Sequence, residues 1–171
     1  LHIGHVGDSR GYILRAGRLV QITRDHSWVA EQVEAGNLTL EQAAHHPHRN
    51  VVTRAIGANE NVKVDTLVES VAPGDRVLLC SDGLHSVVGD GDIAEVLKGG
   101  DPKAVCNGLV ELANANGGPD NITVVVAQIG GQNRTESKDR LGAADKTTGR
   151  ERRRRSSGPV GWVTRRLFRR R

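Results

Sequence analysis

Short apolar runs punctuated by turn residues fill the first 130 positions of the chain. Residues 1–6, 11–14 and 18–22 have the length and β-branched content of strands, and Ala16-Gly17 supplies the turn between the last two. Ser27 stands where it would cap a helix running to Ala35 and stopped by Gly36 and Asn37. Thr39-Leu40-Glu41-Gln42 is a capping-box pattern for a second, short helix that Pro47 ends. Strands are expected at residues 51–56 and 62–71, after which Pro73-Gly74-Asp75 turns the chain into a strand over residues 76–80. A helix over residues 90–98 closes at Gly99-Gly100. Asp101-Pro102 then pairs an N-cap with a first-turn proline, opening a helix that reaches about Asn116 and stops at Gly117. Residues 121–129 form a last apolar strand. Strands outnumber helices and short turns join many of them, which favours antiparallel sheets over a doubly wound parallel sheet.

The pattern stops at Gly130-Gly131. Residues 131–159 are rich in Gly, Ser, Thr and charge and carry few large apolar side chains, so they cannot bury enough surface to fold. Two parts are therefore expected: a folded portion over residues 1–130 and a disordered linker with an Arg-rich tail over residues 131–171.

Charge divides at the same place. Residues 1–130 hold ten Lys and Arg against sixteen Asp and Glu, whereas residues 131–171 hold fourteen against four, which together make the net +4 of the chain. The basic balance belongs to the tail, so it does not argue for nucleic-acid binding by the whole protein. Cys80 lies in an apolar strand and Cys106 on an expected helix, and two widely spaced cysteines suggest neither a zinc site nor a disulfide framework. A reducing, cytoplasmic compartment is the natural expectation. The longest apolar run falls far short of the roughly 18 residues that a membrane span requires.

Three aspartates carry the chemistry. Asp8 lies in Gly7-Asp8-Ser9-Arg10, Asp82 in Ser81-Asp82-Gly83, and Asp120 in Gly117-Gly118-Pro119-Asp120-Asn121-Ile122-Thr123. Each sits where an apolar run meets a glycine or a tight turn. A carboxylate at the end of a buried strand requires a cation or a dense set of donors, and only Arg10 lies within two residues of any of the three. Taken singly, each Asp is explained by the ordinary capping of turns. Taken together, they read as a shared site for a hard divalent ion, which takes oxygen ligands and keeps some of its water.

The order of motifs is also familiar. Gly4-His5-Val6-Gly7-Asp8-Ser9-Arg10 is followed by Thr23-Arg24-Asp25-His26-Ser27 and then Asn50-Val51-Val52-Thr53-Arg54-Ala55-Ile56-Gly57. Ser81-Asp82-Gly83 and Pro119-Asp120-Asn121-Ile122-Thr123 complete the series. Over residues 1 to about 130 this order resembles the metal-dependent protein serine/threonine phosphatases of type 2C, most closely their bacterial branch. The resemblance implies an α+β fold, an antiparallel β-sandwich flanked by helices, with residues 25–57 as a mobile flap segment. It implies hydrolysis of phosphoserine and phosphothreonine by metal-activated water, with Mn²⁺ or Mg²⁺ as cofactor and two or three ions in the complete domain. Asp82 and Asp120 match the family's aspartates on the core metal pair, and Asp8 matches one that helps hold a further, weaker ion. The implied partners are phosphorylated proteins, Ser/Thr kinases among them.

The family's amino-terminal Asp-Gly-x-Gly-Gly motif, phosphate-binding arginine and general-acid histidine find no match here. The expectation is therefore a fragment, incomplete at its amino terminus and nearly inactive alone. Two other classes stay open: a non-catalytic phosphoprotein-binding module of the same fold, and an interaction protein acting through its basic tail. His45, His46 and His48 cluster around Pro47, but three histidines without a nearby Cys make a poor zinc site, and a solvated flap explains them better. Gly83, Gly117 and Gly118 suit either a phosphate cradle or plain turn geometry, with neither Walker-A nor GxGxxG spacing present. In the tail, residues 150–171 carry ten arginines around Trp162, Val163, Leu167 and Phe168. With so few aromatics to stack on bases, nucleic acid is disfavoured and an anionic membrane surface is expected instead, with the protein apposed to or anchored in a membrane.

Overall fold

The structure is a computed structural model that describes residues 1–130. The linker and Arg-rich tail expected over residues 131–171 lie outside the described residues.

Six strands and five helices follow one another in runs along the described chain. Strands β1 (His2–His5), β2 (Arg10–Arg15) and β3 (Arg18–Gln21) are followed by helices α1 (Trp28–Glu34) and α2 (Leu40–Ala44). Then come β4 (Asp65–Val68), β5 (Arg76–Cys80), α3 (Asp82–His85), α4 (Asp90–Lys98), α5 (Pro102–Ala115) and β6 (Val124–Gln128). All strand pairs are antiparallel, in a four-stranded sheet of order β3-β2-β5-β6 and a two-stranded sheet of β1 and β4.

The local signals act where they stand. Ala16 and Gly17 both adopt positive φ, which gives the β2–β3 hairpin the twist that a two-residue turn needs. The Ser27 hydroxyl accepts from the Ala30 N–H, and Thr39 with Gln42 forms a complete capping box. Asp101 accepts from the N–H groups of Lys103 and Ala104 ahead of the first-turn Pro102.

Helices α4 and α5 cover one face of the larger sheet. Tyr12, Leu14, Leu78 and Cys80 from the strands pack with Leu84, Val88, Ile93, Leu97, Val105, Leu109 and Ala113 in a continuous core. Burial pushes the Cys80 thiol up to about 11, so it is an inert apolar filler. The alternate positions of the same sheet are covered less: Leu79 and Val125 stay exposed. With Ile3 and Val64 they line a groove shared with the smaller sheet.

Two expected strands are corrected. Residues 51–56 form no strand; Val52 makes one isolated bridge to Ser27, and Val51, Val52 and Ile56 are exposed. The run expected over residues 62–71 shortens to β4, the length that the four residues of β1 can pair. The α3 turn was not signalled, because four residues including a glycine show no helical periodicity.

Candidate active site

One cleft of roughly 680 Å³ is lined by all three aspartates, Asp8, Asp82 and Asp120. Its other wall is the underside of α1 and α2, with Val29, Ala30, Val33, Leu40 and Ala43, and Arg24 and Arg49 also reach it. Each acid arrives by a different route.

Asp82 is the first residue of α3, directly after β5. A carboxylate in the first turn of a helix is favoured by the free N–H groups there. The Ser81 hydroxyl donates to the Asn121 carbonyl and accepts from the Thr123 N–H, both at 3.0 Å. That clasp draws the Asp82 turn against the Asp120 turn. The approach leaves no room at Gly83, where a Cβ would stand 2.3 Å from the Asn121 oxygen. Close packing thus explains this glycine without a phosphate cradle.

Asp120 follows the end of α5. The Gly118 N–H donates to the Ala113 carbonyl and the Gly117 N–H to that of Asn114, with both glycines at positive φ. This is a Schellman helix end, which again accounts for both glycines by geometry. The Asp120 carboxylate accepts from its neighbour's Asn121 N–H and stays exposed.

Asp8 lies in the loop between β1 and β2, and three histidines hold that loop. His5 Nε2 donates to the Ser9 carbonyl at 2.8 Å, and His85 Nε2 to the Asp8 carbonyl at 3.0 Å. The backbone N–H of His26 donates to the Gly7 carbonyl, while the Gly7 N–H donates back to His26 Nδ1 at 3.0 Å. Burial, with the Arg10 charge nearby, lowers the His85 pKa and keeps the ring neutral.

Arg10, the one cation adjacent to these motifs, is already committed. It makes a two-pronged pair with Asp25 and also donates to Tyr12 Oη. The Asp25 hydrogen bonds hold the guanidinium above its ordinary range against the opposing effect of burial. Among the described residues Asp8, Asp82 and Asp120 join no ion pair. Three carboxylates on one cleft with no ion-pair partner among the described residues suit a hard, oxygen-seeking ion. The fit is that of an open set of ligands: among the described residues no three His, Cys, Asp or Glu form a group close enough to hold an ion alone. The zinc reading of His45, His46 and His48 gains nothing, since the rings of His46 and His48 lie 4.7 and 5.2 Å from that of Trp28 in an aromatic cluster. The sequence reading missed the roles of His5, His26 and His85. His5 and His26 stood inside quoted motifs, but their partners are set by the fold.

No family model matches the chain. Its relatives are nonetheless consistent. The chain is 46% identical over 129 residues to serine/threonine protein phosphatase PstP of Mycobacterium tuberculosis, a match covering 75% of this chain and 25% of that protein. It is 40% identical over 127 residues to serine/threonine phosphatase stp of Listeria innocua, covering 74% of this chain and 50% of the relative. The fold agrees with the crystal structure of the Mycobacterium tuberculosis phosphatase PstP/Ppp at a TM-score of 0.71 and 45% identity, over 74% of this chain and 54% of that one. A PstP catalytic domain in complex with two manganese ions gives a TM-score of 0.64 at 40% identity, over 74% and 52% of the two chains.

The α+β fold is that of the bacterial phosphatase domains in these structures. Over about three quarters of its length the chain is homologous to the bacterial type 2C-like protein serine/threonine phosphatases. It spans a quarter to a half of the length of these curated relatives.

Proposed function

We propose that the protein to which this chain belongs hydrolyses phosphoserine and phosphothreonine esters of proteins, dependent on Mn²⁺ or Mg²⁺. The observation that carries this is the meeting of Asp8, Asp82 and Asp120, from three separate motifs, on one cleft without ion-pair partners among the described residues. The named phosphatases among the relatives favour turnover over a merely phosphoprotein-binding module.

Asp82 and Asp120, clasped through Ser81, would hold the core ions, and Asp8 with Asp82 a further, weaker one. Such ions, when bound, neutralise phosphoryl oxygens and bring the pKa of a coordinated water from about 15.7 toward neutrality. The remaining work falls to the chain. Val29, Ala30 and Val33 offer an apolar wall for the side chains flanking a phosphorylated residue. Arg49 brings a positive charge to the same wall and joins no ion pair among the described residues, which suits an anionic substrate. Arg10 cannot serve that purpose, because Asp25 already satisfies it.

Phosphorylated proteins are the partners this reading implies, Ser/Thr kinases among them. The arginines of residues 150–171 further suggest apposition to an anionic membrane from the cytoplasmic side, since each basic residue near such a leaflet contributes on the order of 1 kcal/mol. Among the described residues no helix is long and apolar enough to cross a membrane.

The test of the reaction is release of phosphate from a phosphothreonine peptide. Chelation should abolish it and added Mn²⁺ restore it; turnover indifferent to the chelator would overturn the assignment. For the tail, phosphatidylglycerol vesicles should sediment the full chain, less so at raised salt and less again with Trp162→Ala and Phe168→Ala. Equal binding to neutral vesicles would remove the membrane reading.

A further inference from the structure

His26 takes no direct part in the cleft, yet it stands where three segments meet. Its side chain is 3% exposed. On one side Nδ1 accepts the Gly7 N–H, one residue before Asp8. On the other side Nε2 lies 2.9 Å from Asp65 Oδ2 on β4. A backbone N–H can only donate, so Nδ1 must carry a lone pair and the ring proton belongs on Nε2. That proton is donated to Asp65. Arg54 Nη1, 2.9 Å from the same nitrogen, donates to Asp65 Oδ1 at 2.6 Å and lies beside the ring as a second donor to one carboxylate.

The backbone of His26 is tied as firmly. Its N–H reaches Gly7, and its carbonyl accepts the Thr53 N–H. Trp28 N–H donates to the Val51 carbonyl, and Ser27 bridges Val52. Residues 26–28 and 51–53 thus form the neck of the α1–α2 segment, which walls the cleft opposite the aspartates. The His5 ring lies against that of His26, tilted by 36° with centroids 4.8 Å apart, and its Nε2–H donates to the Ser9 carbonyl.

We propose that His26 is a positioning residue, which in one tautomer holds the Asp8 loop to the neck of the α1–α2 segment and so ties the weaker ion's ligand to the substrate-facing wall. The inference rests on the metal reading of the cleft. It is distinct from that reading, because His26 touches Gly7 rather than a proposed ligand.

Two substitutions separate the halves of the clamp. Asparagine carries an oxygen about as far from the backbone as Nδ1 and keeps an acceptor for Gly7. Glutamine reaches outward toward Asp65, like Nε2, and gives up the Gly7 bond. In the full chain, long-range ¹H–¹⁵N spectra should show His26 neutral and protonated on Nε2; an Nδ1-protonated ring would overturn the proposal on the wild type alone. The Gly7 amide should exchange much faster in His26→Gln and stay protected in His26→Asn. By Mn²⁺ titration, His26→Gln should weaken the Asp8-dependent ion by about 10- to 100-fold, the usual effect of removing a group that orients a ligand. His26→Asn should recover most of that loss. Equal Mn²⁺ affinity in His26→Gln and wild type, when Asp8→Asn binds weakly, would refute the coupling. If Asp8→Asn changes nothing, the metal reading fails instead, and the tautomer and Gly7 exchange still decide whether the clamp exists.

Discussion

Asp8 and Asp120 line the same cleft and are held in opposite ways. Around Asp8, the carbonyls of Gly7, Asp8 and Ser9 each accept from a histidine, and those histidines come from β1, from the segment before α1, and from α3. Around Asp120, the backbone is shaped by a helix end and two positive-φ glycines, with the Ser81 hydroxyl on the following Asn121. The first acid is placed by tertiary contacts and the second mainly by its own chain. The first should yield to changes far away in sequence, and the second to changes in its immediate turn and its serine clasp.

The largest expected break is Gly83→Ala. Its new Cβ would fall 2.3 Å from a backbone oxygen that cannot rotate aside, so the α3 turn must withdraw from Asn121. Calorimetry should show a loss of about 3 kcal/mol, the upper end for overpacking a tight site, and Mn²⁺ binding should suffer with it. Unchanged melting would mean that the two turns are not closely packed in solution.

Ser81→Ala is milder and keeps the shape of the turn. It removes one hydrogen bond each way between the Asp82 and Asp120 sides, and about 1 kcal/mol should disappear from stability for a net pair of this kind. The Asp8 side should be untouched, so Gly7 amide protection must stay as in the wild type.

Acid probes the other side. Hydrogen bonds from His26, and then from Arg54, hold the Asp65 carboxyl at about 2. A carboxylate lowered in the folded state stabilises above its ordinary value near 3.8, and that contribution fades as the pH falls through 3.8 toward 2. Asp65→Asn should therefore flatten the acid limb of a stability-versus-pH curve while leaving its shape near neutrality alike. An equally steep limb in the variant would disconnect Asp65 from the clamp.

Asp101→Ala gives the smallest effect on the site. Losing the cap of α5 should cost about 1 kcal/mol by thermal melt. Mn²⁺ affinity should not change, which makes it the control for loss of stability without loss of geometry.

The same division explains what could be read from the sequence. Ser27, Thr39, Asp101 and the Ala16-Gly17 turn announce themselves, because each acts on residues within a few positions of itself. The antiparallel arrangement and all three cleft aspartates followed from strand ends and turn residues of that local kind. The 51–56 segment misled: two valines and an isoleucine look like a strand, yet they meet a single bridge partner and otherwise face solvent. The histidines could not be ranked. His26 and His85 find the Asp8 loop 19 and 77 residues away, and nothing in their immediate neighbourhood signals it. The tighter-looking group His45, His46 and His48 instead contributes two rings to an aromatic cluster with Trp28.

The central claim is that Asp82 and Asp120 are joint ligands of divalent ions. Electron paramagnetic resonance of Mn²⁺ titrated into the complete protein counts bound ions directly, because the free aqua ion has a strong signal that binding quenches. The wild type should bind at least two ions, and Asp82→Asn or Asp120→Asn, each keeping its shape and losing its charge, should abolish or greatly weaken the tightest of them. Full Mn²⁺ occupancy at wild-type concentrations in both variants would contradict the account.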